Sequence, residues 1–400
     1  MREQIDPVWP DHLHNPVSDI AEALLHPAPD PSTDSKVQEQ NFVFSGTGKE
    51  YFRIWIVNLC LTIATAGIYS AWAKVRRLQY FHRNTALAGA VFDFHGDPKA
   101  ILKGRLVAVV VLTAYHYAFG FSRNVGIAVI LCLILGLPWM LRSALRFRLR
   151  NTSYRGLRFG FDGSLASAYL AWLPAVLIWF VPSILLALFP TEPTWFLYSF
   201  ALYLMWPIAH AQIKRYQHSN YRYGASGASC VVSTRRIAAI YFWTFLIGIG
   251  ATGVAMVLAA LFSFGVHLSG VHFKNALFSW LPLIIGIFMV YGVYLLAVPY
   301  LFVRIHNMVW SRTTLPGIAI DSHLRALGYI RLQTGNALLT LLTCGLYRPF
   351  AVVRAYRYRL SMTTLSSATP FDQLLADAHK PVAHTTGEGA ADFLGIDLSW

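Results

Sequence analysis

Carboxylates are scarce in this chain: 400 residues hold only 19 Asp and Glu, and between residues 42 and 371 they are Glu50, Asp93, Asp97, Asp162, Glu192 and Asp321. None lies inside a long apolar run. That counts against an ion-coupled carrier with a carboxylate buried in a span, against paired-carboxylate hydrolysis and against carboxylate-held metals. Cysteine is equally sparse. Cys60, Cys132, Cys230 and Cys344 show no paired spacing, which gives neither a zinc site nor a disulfide framework. No metal or cofactor site is therefore expected. Charge of either sign is low at 13%, against 56% hydrophobic residues, whereas a soluble domain carries about 25% charged residues. A cleavable leader is not expected either: residues 1–41 hold eight acidic residues against Arg2 and Lys36, not a basic start before an early apolar stretch.

What the chain has instead is long apolar runs. Arg105–Phe121, Val125–Leu141, Leu165–Leu188, Trp195–Ile213, Ile237–Phe264 and Ala276–Phe302 approach or exceed the roughly 20 residues that cross a hydrocarbon core as a helix. Six such runs do not fit inside one water-soluble core. Two shorter runs of about 15 residues, Ile54–Ile68 and Leu332–Leu346, flank the set, short for a span. The fold expected is an all-α polytopic membrane protein. It has six full transmembrane helices, two short duplicated re-entrant or interfacial helices (eight spans being the alternative) and short cytoplasmic β-hairpins. Residues 1–41 read as an acidic disordered tail, 42–365 as the membrane domain and 366–400 as a flexible cytoplasmic tail.

Positive charge orients this arrangement. With 33 Lys and Arg, the net charge is +14; the first 41 residues carry −6, leaving +20 on the rest. Lys74–Arg105 holds seven Lys or Arg, Arg142–Arg158 six, Lys214–Arg236 five and Arg304–Arg331 four, a total of 22. The alternate loops contribute Arg123 and Lys274, two in all. Basic loops are retained in the cytoplasm, so a bacterial inner-membrane location with both termini cytoplasmic is expected. The partners expected are the lipid bilayer and its anionic headgroups, which attract basic juxtamembrane segments, and not nucleic acid.

Repeats come next. Asn58-Leu-Cys-Leu-Thr62-Ile-Ala-Thr65-Ala-Gly67-Ile-Tyr69 aligns without a gap on Asn336-Ala-Leu-Leu-Thr340-Leu-Leu-Thr343-Cys-Gly345-Leu-Tyr347, and the register runs on through Trp72 with Phe350 and Arg76 with Arg354, an offset of 278. Asn58, Thr62 and Thr65 share one helical face, as do Asn336, Thr340 and Thr343, and Gly67 and Gly345 offer a break. Paired polar stripes in Gly-broken segments resemble the discontinuous helices of transporter sites; the plainer alternative is hydrogen bonding between helices, with Tyr69, Trp72 and Tyr347 as interface aromatics. A second repeat is Phe42-Val-Phe44-Ser-Gly46, Phe92-Asp-Phe94-His-Gly96 and Phe159-Gly-Phe161-Asp-Gly163, with a worn copy at Ile318-Ala-Ile320-Asp-Ser322. Asn84-Thr85 and Asn151-Thr152 precede two of them. These read as short strands in hairpins, either joined in one cytoplasmic sheet or standing as independent interfacial turns.

The string Phe42-Val-Phe-Ser-Gly-Thr-Gly-Lys-Glu-Tyr51-Phe-Arg-Ile-Trp55, with Thr65-Ala-Gly67-Ile-Tyr69-Ser-Ala-Trp72 and Arg76-Arg77 behind it, resembles the YjgN family of bacterial inner-membrane proteins. The resemblance covers roughly residues 42 to 365 and departs at Arg348-Pro349-Phe350, where the first copy has Ser70-Ala71-Trp72. It implies a multi-pass inner-membrane location and supplies no catalytic residues.

Candidate substrate-binding positions are therefore Asn58, Thr62, Thr65, Gly67, Tyr69, Asn336, Thr340, Thr343, Gly345 and Tyr347. His116, an ionisable group mid-run, joins them, since such groups are functional hypotheses by default. Arg76, Arg77, Arg354 and Trp72 are candidates for the headgroup interface. Two function classes follow: a channel or uncoupled transporter of a small, anionic solute or a lipid, and a non-transporting membrane scaffold that docks a partner. An enzyme is disfavoured, for want of a nucleophile–base pair.

Overall fold

The computed structural model describes residues 38–189, 191, 194–268 and 281–367. The expected tails fall largely outside these residues, as does Glu192. Among the described residues the chain leaves a sheet as helices and returns to it five times. Strand β1 (Gln38–Phe44) leads into α1 (Gly48–Ala64) and α2 (Ser70–Arg83), which returns to β2 (Thr85–Leu87). β3 (Ala90–Phe94) leads through α3 (Pro98–Phe121) and α4 (Arg123–Arg150) to β4 (Thr152–Tyr154). β5 (Leu157–Phe161) leads through α5 (Leu165–Leu188), α6 (Thr194–Tyr203) and α7 (Trp206–Ser219) to β6 (Tyr221–Tyr223). β7 (Ser226–Gly227) and β8 (Ser229–Cys230) lead through α8 (Thr234–Leu268) and α9 (Leu281–Trp310) to β9 (Thr313–Leu315). Last, β10 (Ile318–Ser322) leads through α10 (Ala326–Leu342) and α11 (Arg348–Ser361) to β11 (Thr363–Ser367).

All these strands join one antiparallel sheet of eleven, in the order β7-β6-β5-β4-β3-β2-β1-β11-β10-β9-β8. Each helical excursion thus starts and ends in hydrogen-bonded neighbours. The first and last strands also pair with each other, Gln38 opposite Ser367. The two edge strands, β7 and β8, are separated in the chain only by Ala228, whose N–H donates to the Tyr221 carbonyl at 2.7 Å. The sheet therefore nearly closes on itself, and its two remaining edges are strands of only two residues, short enough to limit the exposed edge an open sheet would present.

Local chemistry explains the strand junctions. A helix ends with unsatisfied carbonyls, and the Asn-Thr pairs satisfy them. The Asn84 and Asn151 side-chain amides donate to the carbonyls of Tyr80 and Phe147 at 2.8 and 2.9 Å. The Thr85, Thr152, Thr313 and Thr363 hydroxyls each donate to the carbonyl four residues back, at 2.7 to 3.0 Å. Two-residue turns follow. Ala88-Gly89 and Arg155-Gly156 all have positive φ, between 44° and 81°, the twist that suits tight hairpins.

In each Phe-x-Phe-x-Gly unit the two rings share one strand face. The first (Phe42, Phe92, Phe159) fills the inside of the sheet with Leu87, Tyr154, Tyr223, Ile320 and Leu365. The second (Phe44, Phe94, Phe161) packs on the incoming helices, Phe94 being 1% exposed. A Cβ added at Gly96 or Gly163 would stand 2.5 or 2.6 Å from those rings, so the glycine is dictated by close approach.

Three expectations are corrected here. The fold is not all-α, because the hairpins are one sheet; strands of two to seven residues are too short to stand out beside 24-residue apolar runs. Nor do the described residues hold six full spans, or eight. Five described helices are long and apolar enough to cross a membrane, containing Pro98–Ala118, Arg123–Arg150, Leu165–Leu188, Thr234–Leu261 and Val290–Trp310. The run Trp195–Ile213 breaks at Leu204–Met205 into α6 and α7, of 10 and 14 residues. Pro207 in the first turn of α7 suits a helix start and not a helix interior. The two duplicated runs are not single short helices either: each is an arm of a helix–turn–helix, α1–α2 and α10–α11, whose feet stand in paired strands.

Candidate functional site

The duplicated segments are brought together, since α1 packs on α11 through stacked Phe52 and Phe350, 5.6 Å apart. The threonines of their polar stripes are bonded to their own backbone. Thr62 Oγ1 donates to the Asn58 carbonyl at 2.6 Å and Thr65 Oγ1 to that of Leu61 at 2.8 Å. The Thr65 hydroxyl also accepts from the Tyr69 N–H at 2.9 Å. The second copy repeats this at Thr340, Thr343 and Tyr347, with distances of 2.6, 2.7 and 2.9 Å. Gly67 and Gly345 take φ of +93° and +91°, and the N–H of each donates to the Thr62 or Thr340 carbonyl at 2.7 Å. These glycines end a helix in the left-handed conformation. Ser70-Ala-Trp and Arg348-Pro-Phe thus follow the same turn.

Asn58 and Asn336 are buried, 7% and 3% exposed. Asn336 Nδ2 donates to the Ala351 carbonyl and to Gln333 Oε1, both at 3.3 Å, tying α10 to α11. Beyond the turns, Tyr69 stacks on Trp72 at 6.1 Å with the Arg76 guanidinium 5.7 Å over its ring. In the second copy Arg354 Nη1 donates to the Tyr347 hydroxyl at 2.8 Å. Arg77 is exposed on α2. The tips carry exposed apolar side chains, among them Ile63, Ile68, Leu341, Leu342 and Leu346. His116 stands apart, exposed on α3 with Tyr117 edge-on at 4.9 Å.

A second cluster, which sequence reasoning missed, lies where the returning helices meet the sheet. His218 of α7 is 5% exposed and its Nδ1 lies 3.0 Å from Thr313 Oγ1. Its ring is 4.9 Å from Trp310, which is 6.0 Å from His306, itself stacked on Phe302 at 5.3 Å. The Arg359 guanidinium lies 5.9 Å from Phe302 and 5.8 Å from Tyr356. The Tyr356 hydroxyl reaches Thr85 at 3.1 Å. Arg148 of α4 bears on Tyr356 and Tyr221, and buried Lys214 bears on His218. Burial, then Lys214 and His306, push His218 down to about 3; burial pushes Lys214 down to about 8. The signal was present, since Arg148 and Arg359 each stand four residues before the first strand residue, Thr152 or Thr363. It was unreadable while those strands were not known to be neighbours in space.

No solved structure matches the chain. It is 33% identical over 135 residues to "Inner membrane protein YjgN" of Escherichia coli (strain K12), covering 32% of this chain and 33% of that protein. It is 31% identical over 139 residues to the protein of the same name in Salmonella typhimurium, covering 34% and 35%. The matched stretch thus spans about a third of these relatives' length. The family described as "Bacterial protein of unknown function (DUF898)" matches residues 39–393, nearly the whole chain, and the protein belongs to that family.

Proposed function

We propose that this chain is a multi-pass inner-membrane protein that engages anionic lipid as a non-transporting scaffold, with its sheet and both ends in the cytoplasm. The observation that carries this reading is that the threonine hydroxyls of the duplicated stripes, which would line a path, are bonded to their own helices, while the Asn58 and Asn336 Oδ1 atoms are buried without a partner. The interior of the sheet is likewise filled with aromatic and aliphatic side chains.

The hairpins suit a lipid interface. α1 has 17 residues, about 25 Å at the helical rise, against a hydrocarbon core of about 30 Å. Its feet are fixed in paired strands, its tip is apolar and exposed, and Arg76 and Arg77 are exposed along α2. Exposed Arg348 and Arg354 repeat this on α11. Every strand from β2 to β10 falls in a basic loop, which supports the cytoplasmic placement. Membrane-surface arginines draw anionic headgroups at about 1 kcal/mol each.

Native mass spectrometry from mixed-lipid nanodiscs tests it. Arg76→Glu with Arg354→Glu is expected to shed phosphatidylglycerol, while Asn58→Leu with Asn336→Leu keeps the lipid and loses only stability. Solute flux into proteoliposomes above empty vesicles, abolished by the Asn58→Leu and Asn336→Leu pair, would overturn the reading in favour of a channel or uncoupled transporter.

A further inference from the structure

We propose that an apolar groove on α8, beside α9, binds an anionic phospholipid, with an acyl chain lying in the groove and the phosphate meeting Arg304. This site is separate from the arginines of the hairpins, and either can fail without the other.

The groove has a volume of about 520 Å³ and reaches Ala297 of α9, within the roughly 300–1,000 Å³ of small-molecule pockets. Its floor is small. Thr244, Gly248 and Thr252 recur at every fourth residue and so share one face of α8. A β-carbon added at Gly248 would lie 3.9 Å from Val293 Cγ1 of α9, which fixes that side. The larger Phe245, Ile249 and Met256 wall the other side and are exposed. The hydroxyl donors are spent within the protein: Thr244 and Thr252 donate to the Ile240 and Gly248 carbonyls at 2.7 and 2.8 Å. Tyr241 closes the end nearer the sheet, its hydroxyl held by Trp206 Nε1 at 2.9 Å and His210 Nδ1 at 2.8 Å. From Tyr241 to Met256 is about 22 Å at the helical rise, against about 15 Å for one leaflet of the hydrocarbon core. An acyl chain therefore fits lengthwise.

Charge selects the headgroup. Helix α9 runs toward the sheet, and Arg304, two turns past Ala297 on the same face, is the first basic residue after the apolar run. It is exposed, and its guanidinium lies 5.3 Å from the Tyr300 ring, folded back one turn toward the groove. Among the described residues no group accepts a hydrogen bond from it. Exposed Arg235 and Arg236 open α8 on the same side of the membrane. A lipid phosphate gives the guanidinium paired acceptors and opposite charge, at the depth where basic side chains meet headgroups. A second copy of the chain suits the groove less well. Helix pairs in lipid are joined by hydrogen bonds as well as by small residues, and the hydroxyl donors here are already used.

The test places the full chain in phosphatidylcholine nanodiscs with rising phosphatidylglycerol that carries a photoactivatable diazirine in its acyl chain. Labelled peptides are mapped by mass spectrometry, so hairpin binding is read at other peptides and its failure leaves this result standing. Label on the stretch from Tyr241 to Met256 is expected to saturate, and the same diazirine on phosphatidylcholine is expected to label it weakly without saturation. Arg304→Gln should raise the phosphatidylglycerol fraction at half-saturation about tenfold. Thr252→Trp should abolish the saturable label by filling the groove, with Gly248→Leu as the second variant should the first not fold. Val257→Trp adds the same bulk at an exposed position outside the groove and should keep the label. Equal labelling by the two lipids would overturn the proposal, as would saturable label that Arg304→Gln and Thr252→Trp leave unchanged. A wild-type protein that is dimeric by native mass and takes no label on this stretch would overturn it in favour of a second copy.

Discussion

The sheet and the long helices meet opposite demands. Each strand in the sheet is paired, its inward side chains are among the most buried in the molecule, and single glycines are required by sub-3 Å clearances. Helix α8 is the reverse: Ile237 near its start is buried, but an apolar 18-residue window of its membrane-length stretch has no residue buried by protein. Folding a sheet in water is driven by apolar burial, whereas helices in lipid gain nothing from hiding leucine from leucine-like tails. Sequence constraint should therefore be dense in the sheet and thin along α8.

Phe94→Ala is the strongest attack on this contrast. The ring is 1% exposed and packs with Ala71, Val75 and Ile101 under the sheet. A loss of about 3–5 kcal/mol is expected, the usual range for a core aromatic cut to alanine, read by denaturant or thermal unfolding in detergent. A loss below about 1 kcal/mol would show that the sheet is not the stabilising element.

Acid attacks the same junction through His218. Its folded value, about 3, lies below the ordinary 6.5, so the folded state prefers the neutral ring. That contribution is complete above about pH 6.5 and is lost as pH falls toward 3. The loss is on the order of a few kcal/mol, each pKa unit being about 1.4. Unfolding midpoints measured from pH 7.5 to 4.5 should fall, and His218→Asn should flatten the slope.

The turns of the two hairpins sharpen the comparison, because they are the same device in different surroundings. Gly67→Ala and Gly345→Ala each force a β-carbon into φ near +90° with nothing within 4 Å to clash. The cost is then conformational, about 1–2 kcal/mol at each site. Equal losses would support the shared turn; a large difference would mean that Ser70-Ala71-Trp72 and Arg348-Pro349-Phe350 impose different strain.

How much of this was legible depended on the distance over which the signal acts. The Asn-Thr pairs, the Phe-x-Phe-x-Gly units and the 278-residue repeat are local, and they marked the strands and the hairpins. What they could not convey was pairing. Nothing local to Gln38 states that it faces Ser367, so the choice between one joined sheet and independent turns stayed open. The Thr62 and Thr65 hydroxyls illustrate a second limit. Spacing puts them on one face, but their choice between a ligand and their own backbone is made by rotamers that sequence leaves open. The cation cluster failed for the first reason, since Arg148, Lys214 and Arg359 are distant in the chain. The break in Trp195–Ile213 was signalled by Pro207, yet membrane helices tolerate proline often enough that the run read as continuous.

The gentlest prediction concerns α8 itself. Leu258 is 59% exposed, on a part of α8 that protein leaves uncovered, and its side chain trades one apolar environment for another when the chain unfolds within the bilayer. Leu258→Ala should change stability by no more than about 0.5 kcal/mol, as substitutions away from packed features do. The measurement is unfolding of the single variant in lipid nanodiscs beside Phe94→Ala. A loss above about 1 kcal/mol would mean that protein rather than lipid covers this face in the folded state, and the sparse constraint inferred along α8 would then belong to an interface missing its partner.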